Sequence, residues 1–282
     1  MSAPSWAQLR ARLEAMGFRP SKALGQNFLI DPNLARAIAR DARLRPGERV
    51  MEVGPGCGAL SRELAALGVR LRAVEIDRRL VELAREAVAG AAHAEVLRAD
   101  VLAGKHVLAA EVLDRLPDED PWHVVANLPY SAGTPFLVVA SRLPNPPRSM
   151  TVLLQRELVD RLAAEPGGRS WGPVGARLRL LYDVAVLRQV PPGLFWPRPR
   201  VDSAVVRLEL RSDRPGPEEV RAFDRLVDHL FQARRKTLAS RLGLLVGGRE
   251  AAVGLLGELG LDPQDRPEDL DALVFMLSQQ PD

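Results

Sequence analysis

The stretch Val50-Met51-Glu52-Val53-Gly54-Pro55-Gly56-Cys57-Gly58-Ala59-Leu60 decides how this chain is read. A short apolar strand, Val50 to Val53, runs into three glycines at alternate positions, and a helical pattern follows through Leu67. Glycines in such a loop let the backbone approach a ligand closely at a helix N-terminus.

Outward from the loop, strands and helices alternate. Asp31-Pro32 starts a helix, with Asp as cap and Pro at the first position. After the loop come a strand at Leu71–Ile76, a helix at Arg79–Val88 and a strand at Ala94–Ala99. Strands at Trp122–Ala126 and Met150–Leu154 are each followed by a helical segment. This order predicts an α/β fold, a Rossmann-like, mostly parallel sheet. Leu181–Val190 and Ser203–Leu210 are joined by a Pro-rich stretch too short for a crossover helix, so an antiparallel edge pair is expected. Beyond Asp213-Arg214-Pro215-Gly216-Pro217 the pattern is helical, with a last helix at Pro267–Leu277. The expected division is a catalytic domain at 1–212, with an N-terminal helical extension, and a small α-helical domain at 213–282.

Two further acids sit where open α/β sheets bind ligands, at the carboxyl ends of strands neighbouring the loop. Glu75, 21 residues after Gly54, suits the two hydroxyls of a ribose, and Asp100 can reach an adenine edge. The Gly-x-Gly-x-Gly spacing differs from the Gly-x-Gly-x-x-Gly of NAD sites, and there is no Gly-x4-Gly-Lys-Ser/Thr loop for an NTPase. With Glu52 leading the loop, the set resembles an S-adenosylmethionine (SAM) site. Cys57 reads as a small side chain rather than a nucleophile.

Asn127-Leu128-Pro129-Tyr130 follows the fourth strand. The exocyclic amine of adenine is a poor nucleophile because its lone pair is delocalised into the ring. The Asn127 side-chain oxygen and the Leu128 carbonyl can accept its two hydrogens and free that lone pair. Pro129 stiffens the turn, and Tyr130 offers a face for base stacking. Methyl transfer from a sulfonium then needs positioning more than a strong base or a metal.

Taken with the loop, these residues resemble the KsgA family, the rRNA adenine N6,N6-dimethyltransferases. Leu24-Gly25-Gln26-Asn27-Phe28-Leu29, Glu52 to Gly56, Val74-Glu75-Ile76-Asp77, Asp100 with Val101, and Asn127 to Tyr130 match its motifs in order. Gln155 to Val159, Phe195 to Ser203 and Phe231 to Leu238 resemble its later segments. The resemblance implies SAM contacts from Gln26, Asn27, Leu29, Gly54, Gly56, Glu75, Ile76, Asp100, Val101 and Asn127. It also implies that Tyr130 and Phe195 sandwich a flipped adenine, as chemistry on a base requires. The chain departs from the family at Ala132 and Gly133, beside the expected base pocket, and at Trp171 and Pro173.

The formal charge of +3 is too small to name a partner, but its distribution is uneven. Residues 10–49 carry nine cations against four acids, and residues 244–282 two against eight. Arg234, Arg235, Lys236 and Arg241 form one basic run, and Arg198, Arg200, Arg207 and Arg211 another. Arg198, Arg200, Arg234, Arg235 and Lys236 are the expected RNA contacts. The implied partner is small-subunit rRNA in an immature 30S particle, bound by a monomer. Three rivals stand beside this reading: a large-subunit enzyme of the macrolide-resistance type, a non-catalytic RNA-binding factor on the same fold, and a DNA or protein-glutamine methyltransferase, a class that usually carries Pro at the Leu128 position. Leu128 and the Arg-Arg-Lys run favour the small-subunit class. A single Cys suits a reducing compartment, four scattered His give no metal spacing, and no apolar run reaches membrane-span length, so a cytoplasmic protein with neither metal nor membrane partner is expected.

Overall fold

The computed structural model describes residues 4–21, 23–104, 107–129 and 132–269. The chain forms two compact units. One comprises residues 1–159 with 184–210, the other 160–183 with 211–282.

In chain order the elements begin with α1 (Trp6–Ala15), β1 (Phe28–Leu29), α2 (Pro32–Asp41), β2 (Arg49–Val53), α3 (Ala59–Ala66), β3 (Arg70–Glu75), α4 (Arg78–Val88) and β4 (Ala94–Arg98). A small hairpin of β5 (Leu102–Gly104) and β6 (Val107–Leu108) and the short α5 (Ala110–Leu113) lead to β7 (Trp122–Asn127). Then follow α6 (Gly133–Ser141), β8 (Ser149–Gln155), α7 (Arg156–Ala163), α8 (Pro173–Arg179), β9 (Tyr182–Val190), β10 (Phe195–Trp196) and β11 (Ser203–Leu210). The helices α9 (Pro217–Phe231), α10 (Leu238–Leu242) and α11 (Arg249–Glu258) complete the described chain.

The seven-stranded sheet has the order β4-β3-β2-β7-β8-β11-β9. Strands β4, β3, β2, β7 and β8 are parallel, and β11 runs antiparallel to β8. On one face, Val50, Leu71, Ala73, Val96, Val125, Leu153 and Val205 pack under Ile38 of α2, Leu60 and Leu64 of α3, and Ala84 and Val88 of α4. The period-2 alternation of strands and the period-3.6 stripe of helices place these residues on facing surfaces. Two of the helix starts on this face follow local chemistry: Asp31 caps α2 through the amides of Asn33 and Leu34, and Asp77 caps α4 through that of Arg79.

Three features were not legible locally. The two-residue strands β1 and β10 pair antiparallel, Leu29 opposite Phe195 and Phe28 opposite Trp196. Helix α8 opens at Pro173, so this departure from the family pattern is a helix start with Pro at the first position. With α8, residues 160–183 join the helical unit, whereas the sequence division at 212/213 left them with the sheet. Arg177 of α8 reaches Asp224 and Asp228 of α9, a contact no local pattern announces. The helical unit has its own core of Leu230, Leu238, Leu242, Ala252 and Leu256. Most of the expected helix at 267–277 lies outside the described residues.

Candidate active site

The glycine loop joins the C-terminal end of β2 to the N-terminus of α3. Gly54, Gly56 and Gly58 have φ of +68°, +58° and +76°, a region that side chains with a Cβ rarely enter. Their amides are satisfied within the protein: Gly54 N–H donates to the Val74 carbonyl, Gly58 N–H to the Pro55 carbonyl and Gly56 N–H to Glu75 Oε2. The glycines thus serve by shape more than as ligand donors. A Cβ on Gly54 would lie 3.3 Å from Pro129, and one on Gly58 only 2.3 Å from the Ala87 side chain of α4. Gly58 is therefore a helix-packing glycine, while Gly54 lets the Asn127–Pro129 turn approach the loop.

Glu75 ends β3, 4% exposed. Its Oε1 accepts from the Asp77 amide at 2.9 Å and its Oε2 from Gly56 at 3.0 Å. Burial raises its pKa, against the lowering effect of these amides. Each oxygen keeps a second lone pair for a hydroxyl donor. Glu52 is 1% exposed, and its Oε2 has no hydrogen-bond partner. Burial pushes its carboxyl up to about 8, and the Glu75 charge adds to the shift while the Ser61 hydroxyl opposes it. Asp100 is exposed and fixes the next turn through the Leu102 amide. Cys57 is buried, its thiol pushed up to about 12 chiefly by burial, which leaves it protonated and inert.

Opposite the loop stand the 25–29 segment and the end of β7. Asn127 Nδ2 donates to the backbone carbonyl of Asn27 at 3.0 Å. The Gln26 side chain accepts from the Ser21 amide and reaches Asp77 at 3.5 Å. Leu128 is buried, its amide bonded to the Leu153 carbonyl of β8. The Pro129 carbonyl accepts from both Ala132 and Gly133, which turns the chain into α6.

These residues line two hollows that share Gln26, Gly54 and Pro129. The first is bordered by Val53, Val74, Glu75, Ile76, Asp100 and Val101. The second is bordered by Asn27, Leu29, Glu52, Gly56, Asn127 and Leu128. The first offers an apolar bed with the buried Glu75 carboxylate on one side and the exposed Asp100 carboxylate at its rim. The second presents the unpartnered Glu52 oxygen, which suits an ammonium group. A ligand with adenosine at one end and an amino acid at the other fits both, and SAM is such a ligand. All the residues named from the sequence as SAM contacts border one or the other hollow, and Glu52 joins them with its orphaned oxygen.

Several expected residues fall elsewhere. Phe195 is 3% exposed within the main hydrophobic core and borders neither hollow, because its pairing with Leu29 draws it inward. The structure thus corrects the expectation that Phe195 offers an open stacking face. Tyr130 lies outside the described residues. Arg207 is buried and donates to the Ala42 carbonyl, and Arg211 is held by Asp213 and Asp183. Both leave the expected basic run. Arg198, Arg200, Arg234, Arg235 and Lys236 are exposed and have no ion-pair partner among the described residues.

Comparison with known proteins agrees with this geometry. Residues 17–264 match the family model described as "Ribosomal RNA adenine dimethylase". A protein of Phenylobacterium zucineum named ribosomal RNA small subunit methyltransferase A is 39% identical over 98% of this chain and 93% of its own length. Its namesake from Deinococcus radiodurans is 41% identical over 95% of this chain and 88% of its own length. Among solved structures, the 23S rRNA methyltransferase ErmE matches with a TM-score of 0.68 at 27% identity, over 89% of this chain and all of that one. A dimethyladenosine transferase from Plasmodium falciparum shares the fold, with a TM-score of 0.70 at 20% identity over 88% of this chain and 94% of that one. The chain is therefore a member of the ribosomal RNA adenine dimethylase family, a SAM-dependent rRNA adenine dimethyltransferase.

Proposed function

We propose that this enzyme dimethylates N6 of two adjacent adenosines in the 3′-terminal hairpin of small-subunit (16S) rRNA during assembly of the 30S subunit, as a cytoplasmic monomer. The observation that carries the reading is the position of Asn127, anchored to Asn27 and bordering the hollow that suits the amino-acid end of SAM. The likeness to proteins named for the small subunit, near 40% identity over almost the whole chain, supports the choice of rRNA.

SAM supplies an electrophilic methyl when bound. The Asn127 side-chain oxygen and the Leu128 carbonyl accept the two hydrogens of the adenine amine and hold its lone pair toward the second hollow. Pro129 fixes both acceptors, since its carbonyl is committed to two amides of the following turn. Tyr130 stacks on the flipped base. Electrostatic positioning of this kind acts without reorganisation at the moment of transfer. Arg198 and Arg200, and the Arg234-Arg235-Lys236 run of the helical unit, contact rRNA phosphates. No described helix is long and apolar enough to cross a membrane.

The test is incubation with labelled SAM and, separately, immature small subunits, large-subunit rRNA and DNA, followed by nucleoside analysis. N6,N6-dimethyladenosine from small subunits is expected. Label confined to large-subunit rRNA would replace this reading with the ErmE-like one, and no label anywhere would favour a non-catalytic binding factor.

A further inference from the structure

A further hollow in the sheet unit is separate from the cofactor cleft. It lies at the other end of the strands, about 380 Å³ in volume, and is lined by Arg49, Arg70, Arg72, Arg115, Glu95 and Trp122 among others. Its origin is visible in β3. Leu71 and Ala73 point into the core under α3 and α4, while Arg70 and Arg72 alternate to the opposite face. Strands of a parallel sheet are normally apolar on both faces, because helices cover both. Here the connection from β4 to β7 includes a helix of only four residues, α5, and a row of guanidiniums stands where an apolar layer would be expected.

The charges in this cleft do not balance. Arg49 is paired with Asp120. Arg72 and Arg115 share one carboxylate, Glu95, at the loose distances of 3.8 and 3.6 Å. Arg70 is exposed and has no ion-pair partner among the described residues. Arg49 and Arg70 are register partners on neighbouring strands, and Arg70 and Arg72 lie two residues apart on one strand. The result is a line of donors on rigid strands, open to solvent. The lining residues include no helix N-terminus, the feature that grips a compact terminal phosphate. A line of guanidiniums suits successive phosphodiesters instead.

We infer that this cleft is a second RNA-binding site, in which Arg70 and Arg72, with Arg49 and Arg115 beside them, hold phosphates of an rRNA segment remote from the methylated adenosines. The inference rests on the rRNA reading above. Arg70 is five residues from Glu75 along β3, roughly 17 Å at strand rise, so the site contributes to binding and leaves the chemistry untouched.

The double variant Arg70→Gln/Arg72→Gln tests this. Its KM for small-subunit substrate should rise about tenfold, with kcat, SAM affinity and Tm unchanged. The slope of log KM against log salt should become shallower by about 1.5, since each lost phosphate contact removes roughly 0.7–0.9. Arg70→Lys/Arg72→Lys should restore most of that slope. Unchanged KM and slope, with wild-type dimethylation intact, would overturn the second site and leave the proposed function standing. Filter binding of full-length small-subunit rRNA, which needs no turnover, decides the cleft separately. Weaker binding by the Gln variant supports the site even if wild-type methylation fails, and equal binding overturns it. If ATP stabilises the wild type but not the Gln variant while the KM for RNA is unchanged, the cleft is a nucleotide site and the RNA assignment is wrong.

Discussion

Asn127 and Asn27, one hundred residues apart, are joined by a hydrogen bond of 3.0 Å from the Asn127 side chain to the Asn27 backbone. The bond ties the residue proposed to face the acceptor base to a segment that borders the same hollow. Asn127→Ala should therefore have two effects. Loss of the amine acceptor should lower kcat on the order of a hundredfold or more. Loss of the bond to Asn27 should weaken SAM binding about fivefold, the worth of one ordinary hydrogen bond near 1 kcal/mol. Calorimetry on the variant measures the second effect apart from the first.

Glu75 accepts one backbone amide on each oxygen, from Gly56 and from Asp77, and so braces the glycine loop in addition to its proposed role on the ribose. Glu75→Ala should reduce SAM affinity at least about tenfold through the lost charge-assisted bonds, and should also loosen the loop. Its ionised form is the better acceptor. Because burial raises its pKa, SAM affinity measured by calorimetry should begin to fall at a higher pH than an exposed Glu would give. An affinity flat down to pH 4 would contradict this.

Glu52 carries a pH signature of the opposite kind. Its carboxyl sits near 8 in the folded chain against an ordinary 4.5, so between these values the folded state holds the extra proton. Its contribution to stability is full below about pH 4.5 and is lost as pH rises toward 8, by at most roughly 1.4 kcal/mol per unit. Glu52→Gln mimics the protonated acid. It should flatten the fall in Tm between pH 5 and 8 and be more stable than wild type at pH 8.5. If Glu52 holds the ammonium of SAM, the same variant should also bind SAM more weakly. Parallel Tm curves for wild type and variant would refute the titration.

Phe195 and Tyr130 should behave differently, although the family pattern assigns them one task. Phe195 is a core residue here, so Phe195→Ala should destabilise the protein by about 3–5 kcal/mol, read in chemical denaturation. Phe195→Leu should recover most of that stability and much of the activity. Tyr130→Ala should instead raise the KM for RNA by ten- to a hundredfold, the worth of roughly 1–3 kcal/mol of base stacking. A Phe195→Leu variant with wild-type stability and no activity would return Phe195 to the base site.

The strand, glycine loop and helix at 50–67 were legible because each depends on neighbours in sequence. An apolar run, glycines at positive φ and a resumed helical stripe are local facts, and Asp31 and Asp77 cap helices where they stand. That Glu75 and Asp100 border one hollow was legible for the same reason, since strand ends in an alternating fold fall on one rim. Burial and pairing were not legible, because they are set by residues far apart in the chain. The two-residue pairing of β1 with β10 placed Phe195 opposite Leu29, within the core. The approach of α2 to the sheet took Arg207 out of the basic surface by way of the Ala42 carbonyl. The contact of α8 with α9 carried residues 160–183 into the helical unit. The spacing of arginines along β2 and β3 was present in the sequence from the start. It became a cleft only when parallel pairing set those strands side by side and the short α5 left their outer face open.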